Sequence, residues 1–189
     1  MNTLLPLLVL LLLIGFPVWA FNRLVRGRNR VKEAWSGIDV QLKRRHDLIP
    51  NLVRTVEAYA AHERNLLGEV TRLRAESLTA SGMDSVQHVE NDLSHSLGAL
   101  LVLVENYPDL KADKNFLGLH KSLVEVEDHL QMARRYYNGS VRDMNNLVEA
   151  FPTNVIAKMA GFRSKPYFEL DSAMESRSPE IRFSGGTAS

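Results

Sequence analysis

Apolar residues recur along this chain at seven-residue steps. From Trp35 the steps fall on Leu42, Ile49, Val56, Glu63, Val70 and Ser77, and from Ile38 on Arg45, Leu52, Tyr59, Leu66 and Leu73. About ten of these thirteen positions are apolar where the overall 45% share would give about six, so the spacing marks a helix face. The rows keep phase through Pro50, although a proline inside a helix costs about 3 kcal/mol. A turn would normally shift the phase. The rows therefore predict one long helix from about Leu24 to about Leu78, bent at an outward-facing Pro50.

After "SLTASGMDS", Asp84 or Ser85 can cap a second helix running to about Glu105, with Val86, Val89, Leu93, Leu97, Leu100 and Val104 as its buried stripe. Pro108 makes Tyr107 extended and stops that helix. The third pattern is the cleanest. Phe116, Leu123, Leu130, Tyr137, Met144 and Phe151 form one row, and Leu119, Val126, Ala133, Ser140 and Leu147 the other. A strict heptad implies helices packed at about 20°. The Asn138-Gly139 pair alone would suggest a turn, but the unbroken phase overrules it, with Gly139 softening the helix by about 1 kcal/mol. Pro152 ends this helix, and Ile156, Met159 and Phe162 outline a short fourth helix. The expected fold is all-α: three long helices plus a short fourth in an antiparallel up-and-down bundle.

The run "LLPLLVLLLLIGFPVWAF" from Leu4 to Phe21 carries no charge and would span about 27 Å as a helix, close to a hydrocarbon core of about 30 Å. Its flanks suit an anchor better than a cleaved signal, because the positive charges follow the run, as Arg23, Arg26, Arg28, Arg30 and Lys32. These are expected to be the membrane-flanking basic residues. The run is expected to be a single transmembrane helix, with the amino terminus outside and the body cytoplasmic. The domain reading is an anchor at 1–22, a helical bundle at 23–170 and a polar, flexible tail at 171–189.

A net charge of +1 excludes the global basicity of a nucleic-acid coat, and the absence of cysteine excludes disulfides, thiolate metal sites and a cysteine nucleophile. Only Asp92 to His95 approaches the Glu-x-x-His spacing of a di-iron bundle, and no second copy exists. The histidines, His46 among them, are expected to be solvated or flanking. The Lys43-Arg44-Arg45 cluster is expected to be solvated or lipid-facing. No phosphate-cradling glycine loop has the strand and helix context it needs. No catalytic, cofactor or metal residue is assigned, and a narrow bundle is expected to offer no cleft of converging groups.

The stretches "RNRVKEAWSGIDVQLKRRHDLIPNLVRTVEAYAAHE", "LVENYPDLKADKNFLGL" and "ARRYYNGSVRDMNNLVEAFPTNVIAKMAGFRSKPYFEL" resemble the LemA family, in order, over about residues 22 to 183. That resemblance implies a bacterial membrane-anchored helical bundle without established catalytic residues. It also implies a link to membrane-protein quality control through a membrane metalloprotease of the HtpX type. The chain departs from the family pattern at "NGSVRDMNN", where Gly139 and Met144 stand.

These readings point to a non-enzymatic scaffold or adaptor on the lipid bilayer that self-associates as a homo-oligomer or docks a membrane partner, without nucleic acid. The alternative is a signalling or sensory helical module. Candidate hinge or partner positions are Pro50, Tyr107, Pro108, Asp109 and Gly139.

Overall fold

The computed structural model describes residues 4–169; the side chains of residues 4–10, 12 and 13 lie outside that description, as does the expected tail at 171–189. Among the described residues every regular element is a helix: α1 (Leu4–Tyr59), α2 (Arg64–Thr79), α3 (Met83–Val104), α4 (Pro108–Lys111), α5 (Lys114–Glu149) and α6 (Thr153–Met159). The all-α expectation holds. The helices form two compact units, residues 4–51 with 117–169 and residues 52–116. The charge-free run opens α1, but among the described residues no helix is long and apolar enough to cross a membrane. The expected transmembrane span thus has no support from the described residues.

The expected count of three long helices is corrected to four. Helix α1 does pass through Pro50, but it ends at Tyr59, and residues 60–63 form a turn before α2. The N–H of Ala60 closes the last turn on the Val56 carbonyl at 2.8 Å, and the N–H of Glu63 reaches the Ala60 carbonyl at 3.0 Å. A four-residue interruption is close to one helical repeat of about 3.6 residues, so the apolar rows resume in phase beyond it. Val70, Leu73 and Ser77 are buried accordingly. Periodicity reports phase and is blind to a break of this length. At the next junction the expected cap is also displaced: Gly82 at φ 84 occupies the N-cap of α3, ahead of Asp84 and Ser85.

In the first unit α1 and α5 run antiparallel. Gly27 meets Met144, Trp35 meets Tyr137 at 5.5 Å between ring centroids, and Arg45 meets Glu127 at 3.7 Å, so the pairs advance along one helix and retreat along the other. The helices approach closely at the first pair, since a Cβ at Gly27 would lie 2.9 Å from Met144 Sδ and make that flexible side chain shift. Arg45 and His46 are both buried, at 3% and 5% exposure, against the expectation of a solvated cluster and solvated histidines. Arg45 stands in the apolar row, where its long aliphatic stem lies on the packed face.

After α6 the chain returns along α5 without regular structure, held by side chains. Asn138 donates through Nδ2 to the Phe168 carbonyl at 3.0 Å and accepts the Phe168 N–H at Oδ1 at 2.9 Å. Asn145 repeats this with Lys165, at 2.9 and 2.8 Å. Seven residues of helix rise about 10.5 Å, and three residues of extended chain span about 10 Å. That match lets heptad-spaced asparagines bracket positions three apart. Tyr137 Oη donates to the Pro166 carbonyl at 3.2 Å, and the Phe168 ring packs on Trp35 at 5.5 Å. The Asn138 bracket, with two partly buried hydrogen bonds, should contribute about 1–3 kcal/mol, and the exposed Asn145 bracket less. Asn138→Ala is expected to release residues 165–168 to proteolysis while α5 keeps its helicity, as limited digestion with circular dichroism would register.

In the second unit α2 packs against α3. Glu90 of α3, missed in the sequence and fully buried, accepts a hydrogen bond from the Ser77 hydroxyl. Asp113 caps α5, its Oδ1 accepting the N–H groups of Asn115 at 2.8 Å and Phe116 at 2.9 Å. Tyr59 Oη donates to Asp113 Oδ2 at 3.1 Å, so Tyr59 is 43% exposed instead of lying in its expected core row. The Phe116 N–H first, and the Tyr59 hydroxyl and Asn115 N–H after it, hold the Asp113 carboxyl below the usual carboxylate range. Because the folded value is the lower one, the cap is at full strength above about pH 4, the unfolded value, and is lost as pH falls through the folded value. Amide exchange at Asn115 and Phe116 is expected to accelerate in that acid window, and Asp113→Asn should flatten the dependence while retaining a cap.

Candidate functional site

The basic run after Phe21 does not act as one band. With about 100° of rotation per residue, Arg23, Arg26 and Arg30 share one flank of α1, while Arg28 falls on another. The first three line a groove of about 610 Å³ whose opposite wall is α5 and the start of α6, with Ser140, Asp143 and Asn146 among its residues. The expectation of a body without converging ionisable groups is thereby corrected. Arg28 lies over the Phe162 ring, 5.4 Å from its centroid, and Lys32 is exposed away from the groove. Arg23 also lies over the Trp19 ring at 5.4 Å.

Three guanidiniums face one carboxylate, so the groove has a local excess of positive charge. Guanidinium offers donors and no acceptor, in a planar fork suited to carboxylate or phosphate. The Ser140 hydroxyl donates to the Tyr136 carbonyl at 2.9 Å and the Thr153 hydroxyl to the Ala150 carbonyl at 3.0 Å. Both hydroxyl protons are thus committed to their own helical turns. The chemistry on offer is recognition of an oxyanion. No hydroxyl here is paired with a base in the way a nucleophile requires. Among the described residues no group of three histidines, aspartates or glutamates could hold a metal ion.

The other sequence-derived positions are not gathered there. Pro50 is half-buried within α1. Tyr107 precedes α4 at φ −122 and ψ 82, short of the extended backbone expected before Pro108, and its hydroxyl donates to Glu63 Oε1 at 3.3 Å. Burial first, with the Glu63 charge behind it, raises the phenol above its ordinary range. Pro108 and Asp109 form the exposed first turn of α4. Gly139 is half-buried, and a Cβ there would meet open space, so packing does not require glycine. Two apolar assignments also fail: Phe151 and Met159, expected on buried faces, are 82% and 81% exposed, and α6 instead buries Thr153 and Ala157. The groove wall at Asp143 and Asn146 was missed, because polar positions beside a heptad row look like solvated surface.

Among curated proteins, the chain is similar to magnetosome protein MamQ 2 of Paramagnetospirillum magneticum, 23% identical over 175 residues, covering 79% of this chain and 64% of the relative. It is similar to protein LemA of Metamycoplasma hominis, 30% identical over 139 residues, covering 72% and 63%. It is also similar to magnetosome protein MamQ of Magnetospirillum gryphiswaldense, 24% identical over 159 residues, covering 70% and 58%. The chain thus spans about three fifths of the length of the curated relatives it matches. The model of the LemA family matches residues 34–183, starting just past the arginines of the groove. With most of its length covered by that match, this chain belongs to the LemA family.

Proposed function

We propose that this protein is a membrane-anchored, non-enzymatic scaffold or adaptor that self-associates or docks a membrane partner. The observation that carries the reading is the continuity of α1. One helix of 56 residues joins the charge-free run of the sequence to the packed face at Trp35, Ile38 and Leu42 without a linker. A helix transmits position in a way that a flexible linker cannot. In this reading residues 1–22 anchor the chain in a bacterial inner membrane with the body on the cytoplasmic side, residues 23–170 are the docking body, and 171–189 trail as a polar tail. Basic residues immediately after an apolar run favour that orientation.

The partner proposed is an integral membrane protein, with a metalloprotease of the HtpX type as first candidate on the strength of the sequence resemblance. Two of the relatives are named for the magnetosome and one only for the family, so their names converge on no single process. Crosslinking of the intact protein in its own membrane, with identification of the products, tests the reading. Self-crosslinks or a defined membrane partner are expected; monomers alone, with no partner in detergent extracts, would refute it.

The arginine-lined groove favours a second reading, a sensory module responding to an anionic ligand. That reading requires a ligand-dependent change in structure around Pro50, which a scaffold does not show.

A further inference from the structure

We propose that α6 and the turn before it are an interfacial element resting on an anionic lipid surface, with lipid acyl chains entering the cleft between α6 and α1. The inference rests on the anchor reading above and adds a contact that an anchor alone does not need.

The exposure of α6 is the first observation. Val155 and Met159, four apart on α6, form an exposed row at 50% and 81%, and Phe151 in the turn before the helix adds a ring that is 82% exposed. Large apolar side chains bared together beside the exposed Lys158 call for a cover. The neighbour of that row specifies which. A cleft of about 380 Å³ beside it is lined only by Pro17, Val18, Phe21, Ile156, Met159 and Ala160. One of its walls is therefore the end of the charge-free run, where Leu11, Ile14, Val18, Trp19 and Phe21 are themselves exposed.

The side chains around the cleft are graded as a bilayer surface is graded. Apolar residues at 17, 18 and 21 give way to the aromatic rings of Trp19 and Phe162, and these carry the guanidiniums of Arg23 and Arg28, each 5.4 Å from its ring. Aromatic rings favour the headgroup level, and arginines beside them meet lipid phosphates. The backbone fixes this arrangement. Helix α6 ends with Gly161 at φ 73, the Gly161 N–H on the Lys158 carbonyl at 3.3 Å and the Phe162 N–H on the Ala157 carbonyl at 2.9 Å. That left-handed reversal turns the chain so that Phe162 reaches Phe21 edge-on, at 6.0 Å and 72°. The apolar edge and the anchor are thereby presented together.

The absence of cysteine makes a direct test clean. Single variants Phe151→Cys and Met159→Cys in the full chain, labelled with an environment-sensitive fluorophore, are reconstituted in vesicles of phosphatidylglycerol and phosphatidylcholine carrying nitroxide lipids, shallow ones for these labels and mid-chain ones for the anchor position. Leu11→Cys reports the anchor, and Lys121→Cys, 80% exposed at the far end of the first unit, reports bulk solvent. Labels at 151 and 159 are expected to be quenched roughly threefold more than at 121, as for an element buried to the headgroup boundary. The excess should shrink in pure phosphatidylcholine. Quenching at 11 with none at 151 or 159 would overturn the proposal and leave the anchor standing, while no quenching at 11 would remove both. Disulfide pairing of Met159→Cys between copies, without lipid quenching, would also overturn it by giving the face to a second protein.

Discussion

Truncating Tyr137 to alanine is expected to lower stability by about 3–5 kcal/mol, the range for removing a large buried aromatic. For a chain of this size that is a fall of roughly 6–20 °C in melting temperature. The side chain is 2% exposed, lies edge-on to Trp35 and fastens the returning segment through Pro166. Tyr137→Phe separates the contributions, since it keeps the ring and removes only a hydrogen bond worth about 1 kcal/mol. Thermal circular dichroism on the full chain in detergent reads both. A melting temperature for the alanine variant within a degree or two of wild type would mean that Tyr137 does not anchor the first unit.

Pro50→Ala is expected to act in the other direction, raising stability by about 1–3 kcal/mol. Proline at an interior helical position removes an amide donor and crowds the carbonyl four residues back, here that of His46, for about 3 kcal/mol in total. Helix α1 already runs through this position, so alanine fits with no change of path. The gain falls short of the full penalty because alanine also enlarges the freedom of the unfolded chain. Denaturant titration measures the change. The same variant separates the two functional readings: a scaffold keeps its crosslinked partners, whereas a sensor loses or locks its response. A destabilised Pro50→Ala would show that the proline ring contributes more through its packing than it costs the helix.

Most of the helical content was legible in the sequence because apolar rows fix which faces are buried. Leu42, Ile49, Leu130 and Met144 are all in the core. The continuity of α5 past Asn138-Gly139 followed from the same rows. What escaped had a common cause. A binary apolar or polar reading cannot see the turn at 60–63, which preserves phase, nor a buried arginine or glutamate whose polar end finds a partner, as at Arg45 and Glu90. It also counts Phe151 and Met159 as interior because they are apolar, although they are among the most exposed large side chains described. Of the candidate site, the arginines were visible as a basic run. Their division between a groove and an aromatic stack depends on angular position around α1, which only matters once α5 and α6 are placed beside it.

The asparagine brackets at 138 and 145 make the two segments they join commensurate, like the scales of a vernier. Adding or deleting one residue between the brackets, on either segment, would keep the two from closing together, whereas lengthening the 60–63 turn disturbs no such gauge. Length variation among natural or engineered versions of this chain should therefore accumulate at that turn and be purged from 138–145 and 165–168.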